Sequence, residues 1–140
     1  MAIYKQILQC KEANQKLLAI LLDPDKIIWE NVEFLIGKIK KSPATHIFIG
    51  GSHVQNNILD DLVTALKQKI DLPIVLFPGN PSQISDQADA ILFLALISGR
   101  NPDYLIDHQV DAAPTLKKTK LEIISTGYML IESGGETAVE

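Results

Sequence analysis

Leu17-Leu18-Ala19-Ile20-Leu21-Leu22-Asp23-Pro24-Asp25-Lys26 is the stretch that decides how this chain folds. Six unbroken apolar residues suit a strand buried on both faces, and the proline that follows has no N–H with which to extend it. Residues 27–40 then carry Ile28, Val32, Leu35, Ile36 and Ile39 at helical spacing. The same alternation continues outward. His46-Ile47-Phe48-Ile49 stops at Gly50-Gly51, and Ile58, Leu59, Leu62, Val63 and Leu66 mark another amphipathic helix. Ile74-Val75-Leu76-Phe77 closes at Pro78-Gly79, with a short helix expected after Pro81. Ala90-Ile91-Leu92-Phe93-Leu94-Ala95 predicts a fourth strand, residues 103–116 a helix, and residues 127–132 a fifth strand.

Doubly buried strands separated by helices imply an α/β fold with a parallel sheet. The helix starts agree. Asn80-Pro81 and Asn101-Pro102 each place a capping side chain before a proline suited to the first turn, and Ser52 with Gln55 has capping-box spacing. Every cap follows the carboxyl end of a strand, the edge where such folds carry their chemistry. Two architectures fit: an open doubly wound sheet, or part of an eight-stranded (β/α) barrel. A whole barrel takes about 250 residues, so on the barrel reading these 140 residues form a single domain of five strands, cut at Glu140 before closure.

Composition narrows the function classes. Hydrophobic residues at 46% and charged residues at 21% describe a globular chain, not a disordered one. A net charge of −4 argues against nucleic acid, whose phosphates need clustered cations. Lys38, Lys40 and Lys41, and again Lys117, Lys118 and Lys120, stand where helices should end and favour the helix dipole. The lone Cys10 excludes an intrachain disulfide, charged residues interrupt the first twenty positions, and no apolar run is long enough to span a bilayer. A cytoplasmic protein is expected.

Four strand ends can carry chemistry. Asp23, Asp25 and Lys26 put two carboxylates and an ammonium after the first strand, where oxygen ligands suit Mg²⁺ and a substrate phosphate; Asp-Pro-Asp is equally ordinary turn chemistry, with Asp25 a helix cap. Gly50-Gly51-Ser52 lets backbone approach a ligand and adds a hydroxyl, or simply caps a helix. Asn80 reads as a cap. Arg100 can meet a diphosphate or sit in solvent. His46, His53 and His108 lack metal-ligand spacing and are expected at exposed or helix-terminal positions. The sequence contains no phosphate-binding P-loop, dinucleotide fingerprint, nucleophile elbow or Cys/His cluster. The residues by themselves lead to an α/β enzyme of a phosphate ligand, its reaction open.

In order along the chain, Leu22-Asp23-Pro24-Asp25-Lys26, Phe48-Ile49-Gly50-Gly51-Ser52, Leu76-Phe77-Pro78-Gly79-Asn80-Pro81, Ser98-Gly99-Arg100-Asn101-Pro102 and Thr126-Gly127-Tyr128-Met129-Leu130-Ile131-Glu132-Ser133-Gly134 resemble the geranylgeranylglyceryl phosphate synthase family. The wording is that of its larger archaeal and Bacteroidetes-type branch, and the likeness runs from Leu18 to Glu140. The resemblance implies a modified (β/α) barrel of which this is the N-terminal portion. It implies an Mg²⁺-dependent prenyltransferase moving a geranylgeranyl or similar long prenyl group from its diphosphate to the 3-hydroxyl of sn-glycerol 1-phosphate, early in ether phospholipid synthesis. Asp23 then matches the family's metal-binding aspartate and Ser52 its hydroxyl ligand, with Asp25, Lys26, Gly50, Gly51 and Arg100 as secondary contacts to substrate. The prenyl tail is expected along an apolar groove in the barrel. The family's tyrosine-x-glutamate strand and later glycine-rich loops, which hold glycerol phosphate, match nothing in these residues. Tyr128 to Gly134 belong to the fifth strand, and no catalytic base is assigned, because the family's base is expected beyond Glu140. A homo-oligomer and peripheral contact with a membrane are expected partners of that reading. Against it stand two others: a non-catalytic half-barrel assembly module, and a different phosphate-ligand barrel enzyme.

Overall fold

The computed structural model describes residues 2–51 and 56–131. Helix α1 (Ile3–Glu12) leads into β1 (Ala19–Leu22), two single 3₁₀ turns (Pro24–Lys26 and Trp29–Asn31) and α2 (Val32–Lys41). Then come β2 (His46–Ile49), α3 (Asn56–Lys67), β3 (Ile74–Leu76) and β4 (Ala90–Leu96). A π-helical turn (Asp103–Asp107) runs into α4 (His108–Leu116), and β5 (Glu122–Tyr128) ends the described fold.

All four strand pairings are parallel, and the sheet order is β1-β2-β3-β4-β5. A doubly wound sheet reverses its order at a switch point. This one never does, so each crossover steps one strand in the same direction, which is the winding of a barrel. Alternate residues separate the two faces. Ile47, Ile49, Ile74, Leu76 and Ile91 pack against Val32, Ile36 and Ile39 of α2, Leu59, Leu62, Val63 and Leu66 of α3, and Ala112 and Leu116 of α4. Phe48, Val75, Phe77, Ala90, Leu92, Leu94 and Ile124 form a second cluster on the barrel's inner face.

Helix α1 is not foreseeable from the sequence. Its Ile3 and Ile7 join the inner cluster. The Glu122 carboxylate at the start of β5 accepts hydrogen bonds from the backbone N–H groups of Ile3 (2.5 Å) and Tyr4 (2.9 Å). A residue 119 positions away thus satisfies two of the donors that every helix start leaves unpaired. Beyond the helix, Asn14 takes the left-handed conformation (φ 55°) that ends it.

Three expectations need correction. No helix follows Pro81, because Asn80 turns the chain instead of capping one: its Oδ1 accepts from the Ser82 N–H (2.9 Å) and the Ser82 hydroxyl (2.5 Å). The fifth strand lies at Glu122–Tyr128, five residues before the expected start, since it pairs with β4 from Ala90↔Glu122 to Leu96↔Tyr128. His46 is neither exposed nor helix-terminal; it is 3% exposed at the start of β2. The capping box at Ser52 and Gln55, His53, and the segment from Glu132 to Glu140 lie outside the described residues.

Burial pushes the His46 imidazole below its ordinary 6.5. Its Nδ1 lies 2.9 Å from the Thr45 hydroxyl, and its Nε2 has no partner among the described residues. The unfolded chain therefore takes up this proton at higher pH than the folded one does. Stability is complete above the unfolded pKa and declines as pH falls below about 6.5. Urea titrations at pH 7.5 and 5.5 should show the loss, with a shallower dependence in His46→Gln.

Candidate functional site

Asp23 leaves β1 on the inner face, one residue past the outward Leu22, and one of its oxygens accepts from the Asp25 N–H at 3.2 Å. It is therefore Asp23, not Asp25, that caps the first 3₁₀ turn. That turn brings the Lys26 ammonium to 3.1 Å from the other carboxylate oxygen. Lys26 is 82% exposed and Asp23 24%, so the pair is solvated on one side, and the ammonium is free to swing toward an incoming anion.

The two glycines after β2 have separate reasons to lack a side chain. A β-carbon on Gly50 would lie 1.7 Å from the carbonyl oxygen of Phe77, so β2 and the end of β3 meet backbone to backbone. A β-carbon on Gly51 would lie 2.5 Å from an Asp23 carboxylate oxygen. The carboxylate, the glycine pair and the end of β3 are thus in one contiguous run of contacts. Gln83 closes it. Only 1% exposed, this side chain donates to the Gly51 carbonyl (2.8 Å) and accepts from the Gly79 N–H (3.0 Å), tying the ends of β2 and β3 together.

A cavity of about 750 Å³ opens at this edge. Asp23, Lys26, Gly50 and Gly51 line its polar end; Ile84, Ile91, Phe93, Leu94 and Leu116 line its apolar length. Phe77 also lines it, its ring stacked on Phe48 (6.3 Å) and edge-on to Tyr128 (5.8 Å). The cavity includes residues from both faces of β4, which identifies it as a gap in the barrel wall. β3 holds only three residues and its register with β4 ends at Leu76↔Ile91, while β4 continues to Leu96. Tyr104, His108 and Gln109 line it as well, with Tyr104 and His108 in an edge-to-face contact at 4.8 Å.

The structure therefore gathers Asp23, Lys26, Gly50 and Gly51 around one opening. Asp25 and Arg100 are exposed and do not line it. Ser52 lies outside the described residues, and no described residue is assigned the role of catalytic base. Phe77 and Gln83 belong to a strand end that the sequence suggests only as a turn with a capping Asn80, while Tyr104 and Gln109 are cavity residues that sequence reasoning does not single out. Gln109 leaves a trace there: it shares a helical face with the buried Ala112 and Leu116, at spacings of three and seven.

Mg²⁺ takes hard oxygen ligands, keeps several waters and relies on one or two carboxylates plus substrate phosphate. Asp23 beside the bare Gly51 fits that requirement. Among the described residues no group of three or more His, Cys, Asp or Glu side chains could hold a metal ion by itself. Nor is any helix among them long and apolar enough to cross a membrane.

The PcrB family model matches residues 9–139. The chain is 69% identical over 137 residues to the geranylgeranylglyceryl phosphate synthase of Flavobacterium johnsoniae, covering 98% of this chain and 56% of that protein. It is 45% identical over 137 residues to the synthase of that name from Zunongwangia profunda, covering 98% and 58%. The chain thus spans somewhat over half the length of these curated relatives. Its fold is similar to the crystal structure of (S)-3-O-geranylgeranylglyceryl phosphate synthase from Thermoplasma acidophilum in complex with sn-glycerol-1-phosphate (TM-score 0.88, 30% identity, 96% of this chain and 54% of that one). A wild-type enzyme from Thermoplasma volcanium gives the same TM-score at 29% identity, with the same coverage.

Gly50→Ala should cost about 3 kcal/mol, because backbone on both sides leaves nothing to rotate away. Gly51→Ala should cost less than about 1 kcal/mol, since only the Asp23 side chain must turn. Chemical denaturation of the two variants checks the order.

Proposed function

The chain belongs to the PcrB family, and we propose on that footing that it forms the greater part of an Mg²⁺-dependent prenyltransferase. The substrates are geranylgeranyl diphosphate, or a similar long prenyl diphosphate, and sn-glycerol 1-phosphate. The observation that carries this reading is the lining of the cavity: Asp23 and Lys26 bring charge to it, and aliphatic side chains of β4 and α4 line the rest. An amphiphile with an anionic head and a hydrocarbon tail matches both. Each tail methylene buried contributes about 0.8 kcal/mol. The names of the relatives, and the sn-glycerol-1-phosphate in one solved neighbour, point to the same reaction.

In the transfer, the bond between the allylic carbon and the diphosphate oxygen breaks, and its electron pair leaves with the diphosphate. The 3-hydroxyl oxygen of glycerol phosphate forms the new C–O bond and gives its proton to a general base, a role to which no described residue is assigned. Mg²⁺, when bound, supplies neutralisation of the charge that develops on the leaving diphosphate. Asp23 is the residue that would hold it, with Ser52 the second ligand on this reading. Lys26 turns its ammonium from Asp23 to the diphosphate, and Gly50 and Gly51 keep the backbone close to it. Asp25 and Arg100 act further out, on the approach of the anion. The aliphatic walls keep water away from the allylic carbon.

The same reading makes residues 1–140 one domain of a cytoplasmic homo-oligomer that touches the membrane peripherally, where exposed Ile28, Trp29 and Phe34 flank the cavity-lining Ile27 and Leu35. Light scattering on the full-length protein would show a species larger than one chain.

Asp23→Asn in the full-length protein should lower prenyl transfer by at least about a hundredfold, the scale of losing a principal transition-state charge contact. Removing Mg²⁺ with a chelator should abolish transfer, and added Mg²⁺ should restore it. Undiminished turnover in Asp23→Asn would remove the metal assignment, and transfer that is indifferent to prenyl diphosphate would favour a different phosphate-ligand barrel enzyme.

A further inference from the structure

Where β3 stops, β4 goes on with no strand beside it on that side among the described residues. Glu122 N–H donates to the Asp89 carbonyl (3.1 Å) and Ile97 N–H donates to the Tyr128 carbonyl (2.9 Å), which sets the odd-numbered backbone groups of this segment toward β5. The even-numbered groups of Leu94 and Leu96 therefore face the side of β3. The β3–β4 register, Val75↔Ala90 and Leu76↔Ile91, has already ended there. Unpaired backbone in an aliphatic cavity is costly, and an edge of this kind recruits either another strand or water.

The Gln109 side chain occupies this position. From α4 its Nε2 donates to the Leu94 carbonyl and, at 3.3 Å, to the Tyr104 carbonyl within the π-helical turn. Gln109 lines the same cavity. Its Oε1 is buried and has no hydrogen-bond partner among the described residues, so the amide is held there at the expense of one unsatisfied acceptor. A π-helical turn just before α4 sets the register from which the side chain reaches β4, and such turns concentrate at functional sites.

We propose that Gln109 is a positioning residue that takes the place of the missing strand partner and so keeps the gap between β3 and β4 open and dry for the prenyl tail. The inference rests on the prenyltransferase reading above. It adds that donor binding depends on an amide hydrogen bond remote from the charged end, and only for donors whose tail reaches the gap. A tail of two isoprene units stays near Asp23 and Phe77; a tail of four extends past Leu94.

Gln109→Met keeps the volume of the side chain and removes the donor, and Gln109→Ala removes both. On the full-length protein, kinetics with geranyl diphosphate and with geranylgeranyl diphosphate separate the roles. Gln109→Met should raise KM for the long donor roughly fivefold to tenfold, the effect of one lost hydrogen bond. The short donor's KM and both kcat values should stay within about twofold. Gln109→Ala should show the same split, which guards against a packing effect of methionine. Equal losses on both donors, or unchanged kinetics in both variants, would overturn the proposal. A wild-type protein that transfers neither donor would overturn the functional reading beneath it, and this inference with it.

Discussion

Phe77 stays with β2 and leaves β4. Its N–H donates to the Ile49 carbonyl at 2.8 Å, and its own carbonyl lies where Gly50 has no side chain. Because the chain follows β2 at this point, the barrel wall parts above Leu76, and much of the molecule adjusts to that separation. Residues 77–89 cross to β4 without a helix. Gln83 bridges the two loops at the polar end of the opening, and Gln109 answers the bare edge of β4 at the apolar end. A helix after Pro81 would instead have covered the gap and paired the faces that now line the cavity.

The geometry divides labour along one axis. At the strand ends, Asp23 and Lys26 form a solvated ion pair that an incoming anion can rearrange. Deeper in, aliphatic side chains from α2, α4 and both faces of β4 exclude water. Charge contacts strengthen as the local dielectric falls, so displacing solvent from the aliphatic part of the cavity strengthens the contacts at Asp23 and Lys26. Opposite the mouth, α1 covers the inner face, held by Glu122.

Much of this is legible in the letters. Unbroken runs such as Ile74-Val75-Leu76, of strand length and closed by Pro78-Gly79, read as strands, and the glycine pair after Ile49 announces a close backbone approach. Their partners are not legible. Gly50 is explained by a carbonyl 27 residues away, and Glu122 by a helix at the other end of the chain. Residues 3–12 carry too few apolar positions between their lysines to declare a helix; tertiary capping and the inner face decide it. Asn80-Pro81 has the letters of a helix start, but the side chain of Asn80 is used up in a local turn. Strand order too lies beyond the sequence, since periodicity is the same for a barrel and a doubly wound sheet.

The most direct test of the account is a crystal structure of the full-length protein with the unreactive thiolo analogue of geranylgeranyl diphosphate and Mg²⁺. The account predicts the diphosphate beside Asp23 and Gly51, with the tail running through the parted wall past Phe93 and Leu94 to Leu116. A tail lying on the other side of the barrel, with residues 77–89 closed against β4, would contradict it.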